Sequence, residues 1–199
     1  QPWVSEINPG SVVVAQMWPT RDFNDRSGMA TSSRKVAMEL WGNQYPGGDP
    51  VRNAQLLFGA ENPPGSEYIS GTQDHIGLLV PGVSRIDYDG KFWPKHIEST
   101  VDPETCDWLS QVLHFAPLQP RPEGYNPILS KNLDPAIIKR LGKSGDDCYK
   151  AILKKDVKLL GESMKETFLC WSEMLPYTVP QWVMEEMQTL QLFFLIFLT

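Results

Sequence analysis

The stretch "RSGMATSSRKVAMELWG" (residues 26–42) joins small and hydroxylated residues directly to a run of good helix formers. Small residues at a helix start let the backbone approach an anion closely. The N–H groups and dipole at that end supply a positive field. Ser and Thr hydroxyls can add hydrogen bonds there or ligate the magnesium ion that accompanies nucleotide phosphates. The same residues also suit an ordinary capped surface helix, so on this stretch alone both readings stand. It is not a Walker loop, because the GxxxxGK[ST] spacing is absent.

Around this stretch the chain reads as strand, loop, helix. "SVVVAQMW" (11–18) is a β-branched run of strand length, followed by the polar, turn-rich "PTRDFNDRSG". From Ser32 to Trp41 the spacing predicts a helix with Val36, Ala37 and Leu40 on its inner face, stopped by Pro46, Gly47, Gly48 and Pro50. A second short helix is expected over 50–62 and a loop through "NPPGSEYISG". "HIGLLVPGVSRIDYDGKFWP" (75–94) starts apolar, turns at Pro81-Gly82 and then alternates as strands around a "DYDG" hairpin. "WLSQVLHFAPL" (108–118) has the look of another strand.

Within "GTQDHIG", Asp74 stands between turn residues and an apolar segment, where partial burial could tune a carboxylate for proton abstraction. The bland alternative is an Asp that hydrogen-bonds within its own turn. His75 reads as a polar structural residue, and His75, His96 and His114 show no metal-ligand spacing.

The later part of the chain is helical in pattern: "DPAIIKRLG", "SGDDCYKAILKKD", "DVKLLGESMKETFLCWSEML" and "VPQWVMEEMQTLQ". In the third segment Val157, Leu160, Met164, Phe168, Trp171 and Leu175 are expected to form one apolar stripe, with Asp156 as N-cap. No internal repeat appears, which excludes solenoids.

Composition narrows the classes. The 199 residues are 41% hydrophobic and 21% charged, enough for a sizeable core, and the mean hydropathy of -0.30 suits a soluble globular protein. A net charge of -6 argues against a general nucleic-acid grip, which needs a basic surface. Cys106, Cys148 and Cys170 lack any CxxC spacing and read as reduced thiols in a cytoplasmic protein. No secretion signal opens the chain, and the apolar run "LQLFFLIFLT" is too short to span a bilayer, so no membrane partner is expected. That run suits a buried strand, an aberrant chain end or an interfacial anchor.

In combination these motifs resemble the GHMP kinases, the superfamily of galactokinase, homoserine kinase and mevalonate kinase. "SGMATSS" resembles the family's GLGSS-type loop leading into a helix, and "GTQDH" resembles the GxxDQ segment that bears the catalytic Asp of its sugar kinases. The likeness is strongest to the fucokinase and heptose-kinase branch, whose QDQ segment and following G-L-x-PG stretch "TQDHIGLLVPGV" echoes. The helical segments from Cys148 to Met187 are similar to those preceding the family's third motif.

The resemblance implies an α+β, GHMP-kinase-like two-domain fold, incomplete at both ends. Residues 1–105 would be the later part of the nucleotide-binding domain and 106–199 a truncated helix-rich C-terminal domain. It implies an ATP-dependent phosphotransferase with an alcohol group as acceptor, which moves the γ-phosphoryl of ATP to a sugar hydroxyl. Gly28, Met29, Ala30, Thr31, Ser32 and Ser33 would bind the ATP phosphates, Ser32 would contact Mg2+ held with the nucleotide, and Asp74 would be the catalytic base. Other acceptors in the superfamily are a heptose phosphate, galactose, homoserine or an isoprenoid alcohol, and a non-catalytic nucleotide- or sugar-binding homologue is a further alternative. The first motif and the Gly-rich third motif are not found, so these residues are expected to belong to a longer enzyme. Departures from the pattern are Ala30, the Ser33-Arg34 pair, and His75 in place of Gln.

Overall fold

A computed structural model describes residues 11–16 (backbone only), 23–24, 30–114, 129–179 and 181–188. Its centre is a three-stranded antiparallel sheet in the order β1 (Ser11–Gln16), β2 (Gly82–Asp87), β3 (His96–Thr100). In register, Ser11 faces Asp87 and Gln16 faces Gly82, while Val83 faces Thr100 and Asp87 faces His96. Helices α1 (Thr31–Trp41), α2 (Pro50–Glu61) and α3 (Gln73–Leu79) lie between β1 and β2 in the chain. After β3 follow α4 (Pro103–Val112), α5 (Pro135–Lys154) and α6 (Val157–Met174), a 3-10 turn over Pro176–Thr178, and further helical residues at 181–188. The class is α+β, as expected.

Because side chains alternate along a strand, β2 serves two cores. Ile86 packs with Ala37, Ala54, Leu57, Ile76 and Leu79 from α1–α3, whereas Val83 packs with Leu109, Tyr149, Ala151 and Ile152 from α4 and α5. The expected division between residues 105 and 106 falls inside α4. A third cluster, Ile137, Cys170, Met174 and Leu175, joins α5 to α6 at their far ends.

Asp residues start most of the long helices. Asp49, Asp102, Asp134 and Asp156 each accept from first-turn amides, and a proline follows the first three. Between α5 and α6 the chain turns at Lys155, held at φ 56, with the Asp156 amide donating to the Ala151 carbonyl at 2.9 Å. Arg140 of α5 clamps Glu166 and Glu173 of α6.

Five expectations are corrected. The run near 108–118 is helical through Val112, because Asp102 accepts from the Thr105 amide at 2.9 Å and Pro103 supplies a helical φ; residues 115–118 lie outside the described set. The apolar segment after Asp74 is the helix α3, so Asp74 stands in a first helical turn and not in a loop. Residues 135–154 form one helix, with Gly142 and Gly145 absorbed in its interior. On α1 the buried face is Ser33, Arg34 and Ala37, while Leu40 is 45% exposed, since Ser33 is what meets Glu61 of the neighbouring helix. The α6 stripe divides: Leu160 and Leu175 are buried, but Val157 and Met164 face outward, because α5 covers only one flank. The hairpin between β2 and β3 has its connection over 88–95 and closes through the Lys95 amide on the Asp87 carbonyl. The apolar run 190–199 lies outside the described residues.

Gly82 opens β2 at φ +84, and a Cβ built on it would stand 2.0 Å from the Thr100 carbonyl oxygen. Gly90 has a similar φ of +88 but open space around it. Gly82→Ala is therefore expected to cost at least about 2 kcal/mol more than Gly90→Ala, which carries only the backbone strain of about 1–2 kcal/mol. Urea midpoints of the two variants check this; equal midpoints would refute the close approach.

Candidate functional site

The α1 start, the α2 end and the α3 start meet at one carboxylate. Glu61 is the last residue of α2, with its side chain 11% exposed. Its Oε2 accepts from Ser33 Oγ at 2.6 Å and lies 2.6 Å from His75 Nε2. The Ser32 hydroxyl lies close enough to this carboxylate to help lower its pKa. A carboxylate at a helix C-terminus is disfavoured by the dipole, so these donors offset both the dipole and the burial.

Local sequence explains the meeting. Asn62 caps α2 by donating from Nδ2 to the Phe58 carbonyl at 2.8 Å, and its Oδ1 accepts from the Ser70 amide at 2.7 Å. That clamp closes the "NPPGSEYIS" loop and returns the chain beside Glu61. Thr72, the N-cap of α3, is tied to the end of β2 by a buried 2.7 Å hydrogen bond with Tyr88. Burial pushes the Tyr88 phenol up to about 12, so it stays neutral.

Ionisation within the site is divided. For Glu61, burial raises the pKa, but the bond from Ser33 and the proximity of Ser32 and His75 outweigh it and hold the carboxyl below its usual range. For His75, wholly buried, desolvation dominates over Glu61 and lowers the pKa. The neutral ring then donates from Nε2 to Glu61, and its buried Nδ1 makes no well-formed hydrogen bond. Asp74 is solvent-accessible, yet packing around its carboxyl raises its pKa; Glu61 adds to the rise, while His75 and Arg34 oppose it.

Helix α1 begins unlike the Asp-capped helices. Its N-cap, Ala30, has φ 51 and offers no side-chain hydrogen bond, and its first turn holds no acidic residue. Left-handed Ala is costly, by about 1–2 kcal/mol. Thr31, Ser32 and Ser33 form the first turn of α1; Ser33 meets Glu61, which also meets His75, and Asp74, next to His75 in the chain, is close enough to Glu61 for their charges to interact. Gly28 and Met29 lie outside the described residues.

Sequence reading missed Glu61. The available signal was its place at the end of the predicted second helix, the same helix whose start and stop were legible. Among the described residues no group of three or more His, Cys, Asp or Glu could hold a metal by itself. The oxygen donors of Ser32, Ser33 and Glu61 do suit a hard cation that completes its shell with phosphate and water. The cysteines are free, and burial pushes Cys170 up to about 11. No helix among the described residues is long and apolar enough to cross a membrane. No protein-family model, curated protein or solved structure matches the chain.

Two outcomes follow. Ser33→Ala removes a buried donor to a charged acceptor and is expected to cost about 1–3 kcal/mol, read by denaturant unfolding. In acid, the unfolded chain takes up a proton at His75 near the ordinary value of 6.5 before the folded chain does. Stability is therefore expected to fall as pH drops through that region, and again below 4.5 as Glu61 loses its native advantage. His75→Gln should flatten the first fall in thermal melts; an unchanged slope would remove His75 as its source.

Proposed function

We propose that the protein is an ATP-dependent phosphotransferase of the GHMP-kinase type, acting on the hydroxyl of a small sugar in the manner of a fucokinase. One observation carries the reading: a helix start without a side-chain cap is tied through Ser33 to the carboxylate Glu61, whose charge in turn is felt by Asp74 at the start of α3. Phosphoryl transfer asks the protein mainly for positioning and charge stabilisation, and these groups supply both.

In this proposal the start of α1, with residues 28–33, cradles the triphosphate through backbone N–H groups and hydroxyls, and the helix dipole favours its charge. Ser32, Ser33 and Glu61 would hold Mg2+ with the nucleotide. That ion, when bound, neutralises phosphate charge. Asp74, its pKa raised by burial, accepts the proton of the attacking hydroxyl. His75 keeps Glu61 in place as an uncharged donor and is not the base. Ala30, in a strained conformation at the cradle, belongs with the strained residues that gather at functional sites.

A second reading is a homologue that binds nucleotide or sugar without turnover. It is favoured by the engagement of Glu61 Oε2 with Ser33 and His75, which leaves a cation mainly the other carboxylate oxygen.

Asp74→Asn separates the two readings. For the kinase, ATP-dependent phosphorylation of L-fucose or a related sugar is expected to fall by about 10²–10⁴-fold while nucleotide affinity is retained. Unchanged turnover would remove Asp74 from the chemistry, and absence of turnover in every variant that binds ATP would favour the binding homologue.

A further inference from the structure

Beside the carboxylates stands an aromatic pair that neither the cradle nor the base uses. Phe58 precedes Glu61 by three residues on α2, so the two side chains share a helix face. Its ring meets that of His75 edge-on, with centroids 5.4 Å apart. Trp93, from the connection between β2 and β3, lies against Phe58 at 6.0 Å with the rings tilted by 55°. Both rings are half-buried and so retain accessible surface. Trp93 also packs on the α1–α3 core, which fixes its position. A continuous series of contacts thus runs from Glu61 through His75 and Phe58 to Trp93.

A small-molecule site typically joins apolar or aromatic walls to a few placed polar groups. Here the polar groups are two carboxylates, which only accept hydrogen bonds when ionised. A sugar ring fits that pairing: each hydroxyl can donate to a carboxylate, and its C–H face carries slight positive charge that suits the negative face of an aromatic ring. A nucleobase would also stack, but it offers two carboxylates fewer donors than a ring that bears several hydroxyls. A straight-chain alcohol would leave the aromatic surface unused.

We propose that Phe58 and Trp93 form the stacking platform for the ring of the acceptor, which makes that acceptor a monosaccharide and not an acyclic alcohol. The role as acceptor site rests on the phosphotransferase reading above, whereas ring binding itself does not. Trp93 sets specificity, and Phe58 positions it relative to Glu61.

The test is calorimetric binding of L-fucose and D-galactose to the intact chain, with and without a non-hydrolysable ATP analogue. Expected is binding of at least one sugar, weakened about tenfold by Trp93→Ala and less by Trp93→Phe, with affinity for the analogue unchanged. In any variant that turns over, the acceptor KM should rise with kcat nearly constant, which a general loss of structure would not produce. Phe58→Leu, which keeps an apolar side chain, should weaken sugar binding without lowering the melting temperature as far as Phe58→Ala. Absence of binding by both sugars, or sugar affinity that stays within about twofold in Trp93→Ala, overturns the proposal. Binding of a quaternary ammonium such as tetramethylammonium in place of the sugars also overturns it and assigns the platform to a cation. Trp93-dependent sugar binding in a chain that neither binds the analogue nor transfers phosphate would sink the kinase reading and leave the platform standing.

Discussion

A single carboxylate oxygen orders one side of this molecule. Glu61 Oε2 receives Ser33 from α1 and His75 from α3 while belonging to α2 itself, so three helices share one acceptor. Buried polar groups of this kind are costly when any member goes unpaired, which confines the helices to the arrangement that pairs them all. The apolar cluster of Ala37, Ala54, Leu57, Ile76 and Leu79 would tolerate sliding of one helix over another. The shared oxygen does not, because hydrogen bonds fail over a fraction of an ångström. The positions of Ala30 to Ser33 and of Asp74 therefore follow from where Glu61 sits.

That arrangement also separates neighbouring titratable groups. Within a short distance one carboxyl is pulled down by hydrogen bonds, one is pushed up by packing and a nearby negative charge, and an imidazole is held neutral by burial. Groups driven apart in this way can hold different protonation states at one pH, which is a common property of sites that move protons. Structural hydrogen-bond networks perturb groups too, and Glu61 with His75 is partly of that kind. Asp74 differs from them in that its shift comes from burial, with the charge of Glu61 adding to it.

Much of the fold was legible where local chemistry decides conformation. β1, α1, α2 and the start of α6 follow from β-branched runs, proline punctuation and Asp caps, and the Asp156 cap accepts from the Leu159 amide at 3.0 Å. Legibility failed where partners distant in sequence decide. Nothing around Leu40 announces that α1 buries its serine face, because the reason is Glu61 of another helix. The apolar residues after Asp74 and around Trp108 fit a strand or a helix equally over so short a length; around Trp108 the Asp102 cap decides for the helix. Of the candidate site, Asp74 and Ser32–Ser33 were singled out by motif, while Glu61, Phe58 and Trp93 were not, since no motif spacing links them.

The elbow at Lys155 bears on how the chain reaches this state. It folds α5 directly back along α6, so their contacts join residues close in sequence and cost little loop entropy to form. β1 by contrast finds β2 only after the whole of α1, α2 and α3 has intervened. A nascent chain would thus assemble its helical hairpin quickly, and closure of the central sheet would be the slow event that finally seats β2 between its two cores.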